Sequence, residues 1–244
     1  MRVLVLQHLA VEHPGIFRDF LRADSISWTT VELDAGDAIP DVADFDLMLV
    51  MGGPQDVWQE SEHPWLREEK AAIRRFVVDL KRPYLGLCLG HQLLAAAIGG
   101  NVAPGARPEV GMLTVSRTEE GRRDPLLAEF DEPIQVLQWH GAEVTSLPAG
   151  ATVLASSEAC GVQAFRWGAH AYGLQFHIEA TGDTVGEWAA IPVYAASLEA
   201  TLGAGAVESL RGEVERHLPR LNREAGKVYT QLMLLAEAAS SIGA

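Results

Sequence analysis

The sequence predicts an α/β protein with a mostly parallel central sheet, flanking helices and a helical C-terminal tail. Before about residue 182, short apolar runs alternate with amphipathic segments, the pattern of buried parallel strands joined by crossover helices. Two of those runs end in glycine-rich turns, Met51-Gly52-Gly53-Pro54 and Gly86-Leu87-Cys88-Leu89-Gly90, which punctuate the ends of strands. After about Ala189 alanine becomes denser and the pattern turns helical throughout. The boundary is placed near Gly182, dividing an α/β domain, 1–182, from a helical extension, 183–244, packed on it.

Taken in order, Arg2–Gln7 reads as a first strand, Pro14–Leu21 as a short helix, Ser27–Leu33 as a second strand and Leu47–Met51 as a third. Pro64–Lys81 reads as one helix, because Leu66, Ile73, Phe76, Val77 and Leu80 share a face and Pro64 sits where a helix start tolerates it. Tyr84–Leu87 is a buried strand, and Leu89–Ile98 a helix closed by Gly99-Gly100. A more antiparallel stretch follows, with strands expected at Met112–Ser116, Ile134–Gln138, Thr152–Ala155, Val162–Phe165 and Ala171–Phe176. The tail reads as helices over Val185–Leu202, Val207–Leu218 and Lys227–Ala239.

At 244 residues, 48% hydrophobic and 21% charged, the chain can bury a core and has ordinary globular composition. Nineteen Lys and Arg against 33 Asp and Glu leave a net charge of −14, which repels phosphate backbones and anionic membranes and argues against nucleic-acid or membrane partners. No apolar stretch approaches the ~20 residues of a membrane span. The run Val3–Leu6 is too short for a secretory signal, so a cytoplasmic location is expected, with Cys88 and Cys160 as free thiols.

The chemistry concentrates in Tyr84-Leu85-Gly86-Leu87-Cys88-Leu89-Gly90-His91-Gln92. An apolar strand runs into G-x-C-x-G and then a helical pattern, the layout of a nucleophile elbow. In such a turn the nucleophile takes a strained conformation and the glycines let strand and helix approach. The helix start offers unpaired N–H groups and a partial positive charge, which favour thiolate over thiol at Cys88. By itself the motif describes a buried structural cysteine equally well. A partner lies downstream, where the strand Ala171–Phe176 runs into His177-Ile178-Glu179. If the two strands are neighbours, His177 reaches the thiol while Glu179 orients the imidazole, the logic of a triad. The paired glycines at 52 and 53 can turn main-chain N–H groups outward, and with the N–H of Leu89 these would complete an oxyanion hole.

Gly52-Gly53-Pro54, Gly86-Leu87-Cys88-Leu89-Gly90-His91-Gln92 and Gly173-Leu174-Gln175-Phe176-His177-Ile178-Glu179, in this order and spacing, resemble the class I (triad) glutamine amidotransferases, especially proteins similar to the amidotransferase domain of GMP synthase. The resemblance covers roughly residues 1 to 182. It implies a flavodoxin-like sheet, a Cys88 nucleophile, a His177 general acid/base, a Glu179 orienter and an oxyanion hole from Gly53 and Leu89. It also places Gly52, Gln92, Gln138, Trp139 and His140 around the substrate, the last three in a Gln138-Trp139-His140-Gly141 loop whose main chain would recognise the α-amino and α-carboxylate groups. No cofactor is implied. Two departures stand out: Ile178 replaces the Pro usual between the His and the Glu, and no ATP-binding P-loop or synthase half is evident. The implied substrate is glutamine or another γ-glutamyl amide, with the ammonia passed to a synthase subunit; self-association is left open.

Cys160, in an apolar context with no neighbouring His, is expected to be packing. His8, His13, His63, His91, His170 and His217 form no H-E-x-x-H, no C-x-x-C is present, and no metal site is expected. Trp58 and Trp139 are open between pocket and core, whereas Glu60, Glu62, Glu68 and Glu69 read as a solvated helix approach. The leading function is glutaminase-type hydrolysis through a γ-glutamyl thioester, releasing ammonia. Two alternatives stand beside it: a γ-glutamyl hydrolase or transferase acting on small amines or peptides, and a non-catalytic binding or regulatory module. A Cys α/β-hydrolase is disfavoured because its acid should precede its His. The tail is left open between interaction surface and cap.

Overall fold

Five consecutive buried residues form β1 (Val3–Gln7), a strand that must be covered on both faces. In the computed structural model, which describes residues 1–242 and so leaves the last two residues of the 183–244 extension outside the described residues, β1 lies between two parallel neighbours. These are β2 (Trp28–Glu32) and β3 (Leu47–Val50). The parallel series continues through β4 (Tyr84–Leu87) to β9 (Ala171–Leu174), and the sheet then turns antiparallel through β8 (Ala164–Trp167), β7 (Ala151–Ser156), β5 (Asn101–Arg117) and β6 (Ile134–Ser146). The order across the nine strands is β2-β1-β3-β4-β9-β8-β7-β5-β6. The α/β class with a mixed, largely parallel sheet is therefore as expected.

Alternation sends Val3, Val5, Leu47, Leu49, Leu85 and Leu87 to one face and Leu4, Leu6, Met48 and Val50 to the other. The second face is covered by α2 (Trp65–Arg74) and α3 (Leu89–Ala97), through Leu66, Ile73, Leu93 and Leu94. The first is covered by α1 (Phe17–Ala23) and by the tail helices α5 (Thr184–Ala189), α6 (Pro192–Leu202) and α7 (Ala206–Ile242).

Several boundaries differ from expectation. The helix expected over Pro64–Lys81 is α-helical only to Arg74 and closes with a π-helical turn, Arg75–Asp79. The strands expected at Met112–Ser116 and Ile134–Gln138 are the inner halves of a long antiparallel ribbon. Its outer half at 101–108 is mostly exposed and carries no apolar run, so ladder pairing rather than burial defines it. A short helix, α4 (Glu119–Arg123), follows Thr118, whose hydroxyl accepts the Gly121 N–H. The tail breaks at Ala190-Ile191, but it does not break at Pro219, which stands inside α7. Leu210, Val214, Leu221, Ala225, Val228 and Leu232 hold one buried stripe across that proline, and their packing outweighs the lost hydrogen bond.

The register places the site. Val50 pairs with Gly86 and Gly86 with Gly173, so β3, β4 and β9 end level. The turns after all three leave the sheet at its carboxyl edge, where open α/β sheets place ligands.

Candidate active site

Cys88 occupies the sharp turn between β4 and α3 with φ 50° and ψ −102°, a conformation that L side chains rarely adopt. Its N–H donates to Leu174 O at 2.9 Å, tying the elbow to β9. The turn closes because Gly86 and Gly90 carry no side chain: a Cβ on Gly86 would stand 2.3 Å from Gly90 O, and one on Gly90 2.1 Å from Val50 O. The thiol points at Trp139 O, 4.0 Å away, and the Cys88 side chain acts electrostatically on the His177 ring.

His177 leaves β9 three residues after its end and is held by its N–H, which donates to Leu137 O of β6 at 2.8 Å. Its Nδ1 lies 2.6 Å from Glu179 Oε1, with both side chains buried. Glu179 is anchored in turn through its carbonyl, which accepts the Ile16 N–H at 2.9 Å. Burial disfavours the imidazolium, but the Glu179 carboxylate and the Cys88 side chain outweigh it and hold the His177 pKa well above its ordinary value. Trp188 of α5 meets the ring edge-on at 4.6 Å between centroids.

Cys88 opens into a cavity of about 150 Å³. It is lined by Gly53, Pro54, Gln55 and Asp56 after β3, by Leu89 and Gln92 of α3, by Trp139, His140, Gly141 and Ala142 of β6, and by Val193, Tyr194 and Ser197 of α6. Of the residues expected around the substrate, Gln92, Trp139 and His140 therefore meet at Cys88, together with Gly53 and Leu89. Gly52 and Gln138 do not line the cavity. Gly52 packs against Glu12 and the His177 ring, where a Cβ would stand 2.5 Å from Glu12 Oε2 and 3.2 Å from His177 Cε1, with its carbonyl turned to His8, and the fully buried Gln138 side chain donates to Gln163 Oε1 at 2.8 Å. Gln92 donates to Gln175 Oε1 at 3.1 Å and to Ala142 O at 3.2 Å, while His140 Nε2 sits 3.3 Å from Glu109 Oε2.

The structure corrects one reading outright: Glu69 is not solvated but fully buried, 2.9 Å from the equally buried His8. Trp58 is exposed and lines nothing at the site. Cys160 is buried, and its thiol is pushed up to about 12 by loss of hydration. Among the described residues no cluster of three or more His, Cys, Asp or Glu could hold a metal ion, and no helix is long and apolar enough to cross a membrane. Residues that the sequence reading missed are Glu12, Tyr194 and Trp188. The Tyr194 hydroxyl donates to Glu12, whose carboxyl pKa is raised by burial against the opposing effect of His177. No local motif signals this pair, because its members are remote in sequence and meet only through the packing of α6.

The family profile described as glutamine amidotransferase class-I matches residues 17–188. The glutamine amidotransferase-like protein YfeJ of Salmonella typhimurium is 38% identical over 191 residues, which is 76% of this chain and 78% of that protein. A subunit of the glutamine-hydrolysing GMP synthase of Saccharolobus solfataricus is 34% identical over 142 residues, 58% of this chain and 71% of that one. The crystal structure of a glutamine amidotransferase from Thermotoga maritima superposes with a TM-score of 0.85 at 28% identity, covering 95% of this chain and 97% of the other.

Proposed function

The chain belongs to the glutamine amidotransferase class-I family, and from that premise we propose that it hydrolyses the side-chain amide of glutamine through Cys88, His177 and Glu179 by way of a γ-glutamyl thioester. The observation that carries this reading is the buried His177 imidazole, whose Nδ1 lies 2.6 Å from Glu179 Oε1 and whose pKa is raised by the side chain of Cys88, the residue that opens into the cavity. His177 takes the thiol proton as the sulfur attacks the amide carbon, and the main-chain N–H groups of Gly53 and Leu89 hold the oxyanion. The C–N bond then breaks as His177 returns the proton to the departing nitrogen, releasing ammonia. A water molecule, deprotonated by the same imidazole, cleaves the thioester to glutamate and restores the thiol. Glu179 keeps the ring in the tautomer and orientation that both transfers need.

Relatives named as one subunit of GMP synthase work beside another by that name. For this chain we propose likewise that a synthase subunit receives the ammonia. The test is ammonia release from glutamine by the purified chain, compared with amine release from a series of γ-glutamyl amides, with Cys88→Ser as control. Glutamine turnover that rises when cell extract supplies a synthase supports the proposal. Preference for larger γ-glutamyl amines or peptides would replace it with a γ-glutamyl hydrolase or transferase, and no turnover or thioester on any of them would leave a binding module.

A further inference from the structure

Behind the cavity wall lies a second buried His–Glu pair that the proposed chemistry does not use. His8, in the loop after β1, and Glu69, on α2, are both 0% exposed. His8 Nε2 lies 2.9 Å from Glu69 Oε1, and its Nδ1 lies 2.7 Å from Gly52 O. A carbonyl only accepts, so the proton of that bond resides on Nδ1 and His8 donates. The ring is clamped in place: Trp65 stacks on it at 5.5 Å, and a Cβ on Gly53 would fall 2.8 Å from His8 Cβ and 2.9 Å from Leu89 Cδ2.

The carbonyl that His8 holds belongs to the same peptide group as the Gly53 N–H. That group is planar and trans, so its C=O and N–H point in opposite directions. His8 does not line the cavity, whereas Gly53, Cys88 and Leu89 do, so fixing Gly52 O toward His8 turns the Gly53 N–H the opposite way, toward the cavity. Two successive glycines offer little intrinsic resistance to a flip of the peptide between them, so an outside bond must choose its orientation. We propose that His8, held by Glu69, is a positioning residue that locks the 52–53 peptide with its N–H toward the oxyanion, and that this pair sets the catalytic competence of the hole. The inference rests on the γ-glutamyl thioester reading above. Burial opposes a charged His8, but Glu69 and the Gly52 carbonyl outweigh it and raise its pKa, so the donor proton is held firmly on the ring and polarises the peptide it grips.

The experiment compares wild type, His8→Phe, His8→Asn and Glu69→Gln by steady-state hydrolysis of glutamine, by trapping of the γ-glutamyl thioester, and by the rate at which iodoacetamide alkylates Cys88. Alkylation displaces iodide at a saturated carbon and builds no oxyanion, so it reports the thiol and His177 without the hole. Removing a direct oxyanion donor lowers kcat ~10²–10³-fold. Removing the group that aims the donor is expected to lower kcat about 10- to 100-fold in His8→Phe, with KM and alkylation rate within about twofold of wild type. His8→Asn, whose side-chain amide can still donate to Gly52 O, should recover much of the loss, and Glu69→Gln should fall between. Unchanged kcat in His8→Phe overturns the proposal, as does a parallel fall in hydrolysis and alkylation with no rescue by Asn, the mark of a structural role. If His8→Phe fails to fold, the same criteria apply to Glu69→Gln. A wild type that turns over glutamine while the variants match it sinks only the role of His8; a wild type that forms no thioester removes the oxyanion itself and overturns both readings.

Discussion

At Cys88 the side chain and the backbone have opposing interests. The thiol is expected to serve as nucleophile, but a non-glycine residue at φ 50° and ψ −102° stores strain on the order of 1–3 kcal/mol. Cys88→Gly is therefore expected to be at least as stable as wild type in urea unfolding although it deletes a buried side chain; a loss of more than ~1 kcal/mol would show that the elbow is not strained. The two thiols should separate sharply in reactivity. With its pKa pushed up to about 12, Cys160 is thiolate to about one part in 10⁴ at pH 8, so a glutamine-analogue electrophile should label Cys88 alone, and peptide mapping that finds the adduct on Cys160 contradicts the assignment. His177→Ala should lower kcat by ~10²–10⁴, and Glu179→Ala by less, because in the proposed mechanism His177 carries the protons and Glu179 orients it. Equal losses in two well-folded variants would overturn that division of roles.

The element that matters most is the β4–α3 unit, and it was also the most legible. Tyr84–Leu87 forms as a strand at the expected residues, and the helix starts at Leu89 as expected, ending at Ala97, one residue early. Apolar runs and glycines are local signals, and this unit consists of little else. Its backbone contacts leave no slack. Gly90→Ala would drive a methyl to 2.1 Å from Val50 O of β3, so α3 must lift off the sheet. A destabilisation of ~2–3 kcal/mol or more is expected from the urea midpoint, with loss of Cys88 labelling; a variant with unchanged midpoint and labelling would show that the helix has room to shift. The β5–β6 ribbon was less legible because its outer half is exposed, and an exposed two-stranded ladder leaves no hydrophobic period to read.

Across the whole molecule, one core joins the sheet to the tail. Trp188, Tyr194, Leu198, Leu210, Leu221 and Val228 belong to the same buried cluster as Val3, Val5 and Leu85. We propose that the extension after residue 182 is a covering layer of the fold, and a chain ending there should give no cooperative unfolding transition; a sharp transition in that fragment would mark an independent domain. Acid stability should depend on His91. Burial lowers its pKa from an ordinary 6.5 to about 3, so below pH 6.5 the unfolded chain binds a proton that the folded chain refuses, and stability falls as pH falls. At ~1.4 kcal/mol per pH unit, the difference in unfolding free energy between wild type and His91→Leu should move by ~2 kcal/mol in favour of the variant between pH 7 and pH 5. A difference independent of pH would show that His91 is charged or exposed in the fold.

Strand order along the chain, the elbow, the His177-Ile178-Glu179 segment and the glycine turn at 52–53 are local features, and local features determined both the fold class and the residues that should meet. The sequence alone could not decide what stands behind them. Read by itself, Glu69 belongs to a solvated charge run, yet it is buried against His8, 61 positions away; Glu12 is bonded to Tyr194, 182 positions away; and part of the cavity lining comes from α6. Periodicity reports which face of an element is apolar. Whether a polar residue on the remaining face meets water or a buried partner depends on which distant element packs there, and that is settled only when the whole chain has folded.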